Sequence, residues 1–324
     1  MTTLTPLPES LAFPPIRSVH GRLSIADLVP ANRRCGIYVL HFATGELYAG
    51  QALDVTRRYT QHCKTYNDIT HTSFKPMLKT SLNDEERRTI WTLEQASHAL
   101  RNITFTSTPK GETDLDFVVT PEEQAAWKEL STHNGKQDRR TNDVDLRRKY
   151  APRFQQFLKK SAAEMVMKLL RTYVQFGLPY PKRTELSFWS ASCLPSYSDT
   201  SIIIYTRINI NWQEIYTISA EKNTPKRITL SLHVARSPLE EVYGSSLDGL
   251  FKHHPDLEYS EHFYEPGGHD QINLVLQNPR HIQLFFTDPA VQKAIRLFNL
   301  RLMQKGPCAY SRYHCFDLAD QIVT

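Results

Sequence analysis

Between residues 35 and 62 the chain reads CGIYVLHFATGELYAGQALDVTRRYTQH, and four of its side chains could do chemistry together. Tyr38 closes the triplet Gly36-Ile37-Tyr38, and Tyr48 opens Tyr48-Ala49-Gly50. The two β-rich runs are joined by Ala43-Thr44-Gly45-Glu46, where Gly45 supplies a turn, so a hairpin sets the two phenols on neighbouring strands. Asp54 is a good N-cap for a helix from Val55 to about Lys64. Arg58 and His62, four apart, then share one face of that helix and return toward the hairpin. A phenol, an imidazole and a guanidinium at one spot suit phosphodiester hydrolysis: Arg grips a nonbridging oxygen, His or Tyr moves the proton, and a carboxylate supplies a metal. Two half-buried strand tyrosines beside a surface arginine would account for the same residues without any chemistry.

The elements expected around this hairpin follow from capping and periodicity. A Pro-rich start gives way to a short docking segment over residues 1–32. A second helix is expected from Asp84 to Leu100, capped by Asn83 or Asp84, and "NITFTST" alternates like a strand. Thr120, Pro121 and Glu123 form a capping-box opening for a third helix that Asn134-Gly135 ends. The expected order is ββααβα.

The hairpin and helix resemble the GIY-YIG nuclease family. GIY is followed by nine residues and then YAG in the YIG position; Arg58 falls ten residues after Tyr48 and His62 four beyond it, where the family carries its catalytic Arg and a helical His. Ala49 stands where the family usually has Ile, at a strand packing position. The resemblance covers roughly residues 33 to 135. It implies a small three-stranded, antiparallel-containing sheet flanked by helices, and one-metal hydrolysis with Mg²⁺ or Mn²⁺.

In that implied mechanism Tyr38, deprotonated or relayed through His62, is the general base, Arg58 stabilises the transition state and Tyr48 orients the phosphate or nucleophile. A phenol with an ordinary pKa of ~10 needs nearby positive charge to serve as a base. The family's metal-binding Glu sits on the third helix with apolar residues three and four positions later. Glu123, followed by Ala126 and Trp127, meets this best, and Glu122 is second. A Glu at N3 also serves as a cap. Glu94 comes too early; Asn134 is a supporting residue or simply the end of the helix.

The remaining chain sets the context. At 324 residues it has room for about two domains, and 40% hydrophobic with 23% charged residues is ordinary for a globular protein. No run approaches the ~20 apolar residues of a membrane span, and the N-terminus lacks a secretory pattern. Five cysteines without CxxC spacing read as free thiols, and the location expected is cytoplasmic.

A net charge of +5 permits a polyanion without demanding one. Arg139, Arg140, Arg147, Arg148, Lys149 and Arg153 cluster, as either a solvated helix face or a phosphate-contacting stripe, and Arg57 faces solvent or a backbone phosphate.

Four regions result: a 1–32 extension, a 33–138 nuclease domain, a 139–179 basic helical linker with a break near Pro152, and a 180–324 α+β domain. Aromatic and β-branched runs from "LSFWSAS" to "RITLSLHVA" give the last an antiparallel sheet, with "QINLVLQ" and "IQLFF" as further strands and a closing helix from about Pro289 to Gln304. Trp189, Tyr205, Trp212 and Tyr216 are either core or a base-stacking platform. His253, His254, His262 and His269 with Asp256, Glu258, Glu261 and Asp270 have no diagnostic metal spacing.

The resulting expectation is an α+β, metal-dependent DNA endonuclease of restriction, phage-defence or mobile-element type. Its substrate would be double- or single-stranded DNA, or alternatively RNA. The C-terminal domain would choose the target, bind a partner protein or form a homodimer. The alternative is a nucleic-acid-binding protein that keeps the scaffold without catalysis.

Overall fold

The computed structural model describes residue 4 and residues 6–103, 105–109, 113–129, 140–260 and 264–323. The architecture is α+β with two antiparallel sheets of four and six strands. The chain divides into two units, Met1–Gly111 and Glu112–Thr324.

The first unit runs β1 (Arg17–Ser18), β2 (Gly36–Phe42), β3 (Leu47–Ala52), α1 (Val55–Thr65), β4 (Ile69–Pro76) and α2 (Leu82–Gln95), with sheet order β1-β4-β2-β3. The hairpin turns at Gly45, whose φ of 86° is in the left-handed region open to glycine. α1 starts where its cap predicts, the Asp54 carboxylate accepting from the Thr56 and Arg57 N–H groups at 2.9 and 3.3 Å.

Two layers sandwich the sheet. Tyr38, Leu40, Val55 and Tyr59 pack on one face, and Val39, Leu47, Ala49, Ile90 and Leu93 on the other. β2 is therefore buried along its whole length, which explains a run with little polar alternation.

The third strand differs from the expected one. After the hairpin the next strand is β4, placed between the helices, so from β2 onward the order is ββαβα, with the short β1 before it. "NITFTST" forms no strand among its described residues; the chain there meets β3 through one parallel bridge, Leu47 to Leu100. The reason lies at Asn102. Its side-chain amide accepts from the Ala49 N–H at 2.9 Å and donates to the Ala49 carbonyl at 2.7 Å. One amide thus satisfies the strand edge that a ladder would otherwise occupy.

The second unit begins well before the expected boundary at 138. Leu115, Val119 and Trp127 are buried in its core, so the helix that carries Glu123 belongs to it. Its helices are α3 (Pro121–Lys128), α4 (Val144–Leu158), α5 (Ala163–Gly177) and the one-turn α6 (Pro181–Thr184). Pro152 lies inside α4; the chain breaks later, where Lys160 N–H bonds Phe157 C=O and Ala163 N–H bonds Lys160 C=O.

Four strands follow: β5 (Trp189–Cys193), β6 (Ile202–Ile210), β7 (Gln213–Glu221) and β8 (Ile228–Val234). Then come α7 (Ser237–Tyr243), α8 (Asp248–His253), β9 (Glu258–Ser260), β10 (Ile272–Leu276), α9 (Pro279–Phe285), α10 (Pro289–Gln304) and α11 (Phe316–Asp320). The sheet order is β5-β6-β7-β8-β10-β9. "IQLFF" is part of helix α9 rather than a strand, because Asn278 caps and Pro279 opens it, and Ile282 and Phe285 bury one face. Among the described residues no helix is long and apolar enough to cross a membrane.

Candidate active site

Two glycines let the hairpin hold its phenols. A Cβ on Gly36 would collide with the Lys75 carbonyl across the β2–β4 ladder, and one on Gly50 would lie 2.5 Å from the Tyr38 hydroxyl oxygen. Tyr38 pairs with Gly50 and Leu40 with Tyr48, so both phenols stand on one face as diagonal neighbours. Their rings stack with centroids 6.2 Å apart, and the Tyr48 ring meets His62 edge-on at 4.8 Å.

α1 brings its partners to that face. The Arg58 Nε donates to the Tyr38 oxygen at 3.3 Å, and Tyr38 OH lies 2.7 Å from His62 Nε2. Guanidinium nitrogen can only donate, so the phenol accepts from Arg58 and keeps its own proton available for His62. A neutral imidazole in the tautomer with Nε2 unprotonated can take that proton. The environment agrees: burial first and the Arg58 charge second depress the His62 pKa to about 4.

Burial raises the Tyr38 pKa well above the ordinary phenol value, with the Tyr48 phenol adding to it, and the Arg58 hydrogen bond only partly opposes this. The expected lowering by Arg58 therefore loses to desolvation. Tyr48 is likewise raised, first by burial.

Sequence reasoning did not single out one carboxylate of this unit that acts on both phenols. Glu86, on α2, accepts from the Gln51 amide at 2.9 Å, and its charge is felt by both phenols as a minor upward influence on their pKa values. The neighbouring Glu85 is held differently, by Lys75 at 2.8 Å and Arg88 at 2.8 Å, which take its pKa down to about 2. A signal for Glu86 existed: it sits four before Ile90 and seven before Leu93, in line with the buried stripe of α2. Asn102 was also missed; it fastens Ala49, between Tyr48 and Gly50, to the chain after α2.

Glu123 is held by other partners. It lies in the second unit, where one carboxylate oxygen accepts the Thr120 N–H at 3.0 Å and the other accepts from Arg183 at 2.8 Å. Burial opposes its ionisation, yet Arg183 and the cap hold its pKa below the usual range. The capping reading of this residue describes its contacts, and both oxygens are occupied, which leaves it poorly suited to a metal. Glu122 is exposed, and Asn134 lies outside the described residues.

The basic stripe resolves into separate fates. Arg140 takes Glu185 with two bonds of 2.6 Å and pairs with Asp320; Arg147 bonds Asp317 at 2.8 Å and Asp320 at 2.6 Å. These two clamp α4 and its approach to α11 rather than facing phosphate. Arg148 is exposed with an i,i+3 pair to Asp145, Lys149 and Arg57 are exposed, and Arg139 lies outside the described residues.

The histidine-rich segment is also committed internally. His253, His254 and Asp288 place ligand atoms within 4.8 Å of one another. Asp288, however, caps α10 and accepts from Tyr243 at 2.5 Å and His254 at 3.2 Å. Asp270 pairs with Arg301, Asp256 with His281, and His262 and Glu261 lie outside the described residues. His314 bonds Glu185 at 3.0 Å, with its other nitrogen accepting the Ala191 N–H. Comparisons with protein-family models, with curated proteins and with solved structures find no match to this chain.

Proposed function

We propose that the first unit is a phosphodiester hydrolase acting on DNA, in the manner of the GIY-YIG nucleases that its hairpin resembles. The observation that carries this reading is the single hydrogen-bonded chain Arg58–Tyr38–His62, with Tyr48 stacked beside it. A core that only needed aromatic filling has no use for a guanidinium and a neutral imidazole on one phenol.

The donor set fits a hard divalent cation. Mg²⁺ takes oxygen ligands, often one or two carboxylates completed by water and substrate phosphate. Glu86 offers an oxygen ligand near both phenols and would hold the ion. When bound there, Mg²⁺ or Mn²⁺ supplies Lewis-acid polarisation of the scissile phosphate.

The chain's own residues do the rest. Arg58, exposed and without a carboxylate partner among the described residues, directs N–H groups at a nonbridging oxygen and stabilises the charge that grows there. Tyr38 accepts a proton from the attacking water as it passes its own to His62 Nε2, so the raised phenol pKa is no obstacle: the phenol never has to exist as a free phenolate. Tyr48 holds the phosphate or water in line.

Incubating the protein with supercoiled plasmid, single-stranded DNA and RNA, in Mg²⁺ or in EDTA, tests the reading. Metal-dependent nicking or cutting of DNA supports it. Binding without cleavage of any substrate would leave a nucleic-acid-binding scaffold that has lost catalysis.

A further inference from the structure

The six-stranded sheet has two unlike faces at its β5–β7 end. One bears Trp189, Ala191, Ile208, Ile210 and Tyr216 and joins the core. The cross-strand pairs Ser190–Asn209, Ser192–Arg207 and Arg207–Thr217 run along the other. Over that polar face opens a cleft of about 640 Å³, whose lining also includes Lys149, Tyr150 and Arg153 of α4 and Tyr264, Tyr310 and Tyr313. This is the size of small-molecule and cofactor sites.

Three kinds of group line it. Arg207 is balanced by Glu214 at 3.0 Å, whereas Lys149 and Arg153 have no carboxylate partner among the described residues. Trp212, at the β6–β7 turn, leaves 67% of its surface exposed, an unusual state for an indole. Asn209 and Ser192 are each only 6% exposed, yet neither side chain has a hydrogen-bond partner among the described residues. Both line the cleft, so their polar groups are available to a ligand there.

The geometry points to a binding site for an unstacked nucleotide of a single DNA strand, its base against Trp212, its edge on Asn209 and Ser192, and its phosphates on Lys149 and Arg153. Each part matches one chemical feature. An exposed indole offers a stacking surface to any base. An amide presents a donor and an acceptor together, as a base edge requires. Two unbalanced cations suit the flanking phosphates. The choice of DNA over another phosphate-bearing ligand rests on the nuclease reading of the first unit.

The test uses the full chain in EDTA, with a fluorescent single-stranded DNA oligonucleotide, its duplex, and inorganic phosphate as competitor. Wild-type binding should quench tryptophan emission. Trp212→Ala and Asn209→Ala should each weaken strand binding about tenfold, and Arg153→Ala should lower the salt dependence by about one unit. Trp212 is exposed, so its variant folds even if Asn209→Ala does not.

Wild-type affinity in all three variants, or displacement of the strand by phosphate at equal concentration, would overturn the site. The two readings separate when the same proteins are assayed for plasmid nicking in Mg²⁺. Nicking with unchanged strand affinity in the variants sinks the cleft and spares the nuclease. Lost affinity in the variants with no nicking by any protein does the reverse.

Discussion

The Tyr38 hydroxyl stands 2.7 Å from His62 Nε2 and takes a hydrogen bond from Arg58 on its other side. The phenol is thus a bridge between a cation and a neutral base. At 1% exposure it is almost wholly shielded from water, while Arg58 beside it is exposed.

Tyr38→Phe keeps the ring and removes that bridge. Cleavage should fall by ~10²-fold or more, with melting behaviour close to wild type. Arg58→Ala should cost a similar factor by removing a charge donor at the transition state, whereas Arg57→Ala should nick at nearly the wild-type rate. Nicking rates in saturating Mg²⁺ check all three. A Tyr38→Phe protein as active as wild type takes the phenol out of the chemistry.

The two glutamates should separate by what they break. Glu86→Gln is expected to abolish Mg²⁺-dependent cleavage while DNA binding persists, because one negative charge leaves the neighbourhood of the phosphate. Glu123→Gln should keep cleavage and lower the stability of the second unit by about 1 kcal/mol through its cap and its Arg183 pair. A Mg²⁺ titration of nicking, alongside urea melts, distinguishes them. Dead Glu123→Gln beside active Glu86→Gln would return the metal to the first assignment.

What was legible in the sequence was local. The hairpin, the Asp54 cap and the four-residue step from Arg58 to His62 are set by neighbours within a few residues, and they stand as expected. The Thr120 capping box was also readable, but a cap tells where a helix starts and not which core it serves. That depends on Trp127, whose partners lie far along the chain, Arg296 among them.

Glu86 escaped for the same reason: its significance comes from Gln51 on another element. Arg140 and Arg147 looked like a free basic stripe because their acids, Glu185, Asp317 and Asp320, are distant in sequence.

The boundary near residue 111 is testable by truncation. A 112–324 fragment should fold with a cooperative transition, whereas a 139–324 fragment lacks Leu115, Val119 and Trp127. Removing one fully buried Trp alone typically costs ~3–5 kcal/mol, so the shorter fragment should melt far earlier in urea or fail to fold. Equal urea midpoints for the two fragments would put α3 outside this core.

Acid should weaken the first unit through two histidines. His41 faces His71 across the β2–β4 ladder and lies near His98; burial first, then these neighbours, bring its pKa to about 4. Its Nε2 is buried without a hydrogen-bond partner, so the His41 ring has nothing there to hold an added proton. His62 is depressed to about 4 by burial and then Arg58.

Both groups bind protons in the unfolded chain from about pH 6.5, but in the folded one only near pH 4. Between those values the unfolded state carries more protons, so stability falls as the pH falls, by about 1.4 kcal/mol per pH unit for each proton taken up. Above pH 6.5 the contribution is complete and flat; below about pH 4 the loss stops growing. Thermal melts from pH 7.5 to 4 should show this slope, and His41→Gln should flatten part of it. A melting temperature independent of pH across that window would mean that neither imidazole is held neutral, and the proton bridge from Tyr38 to His62 would lose its acceptor.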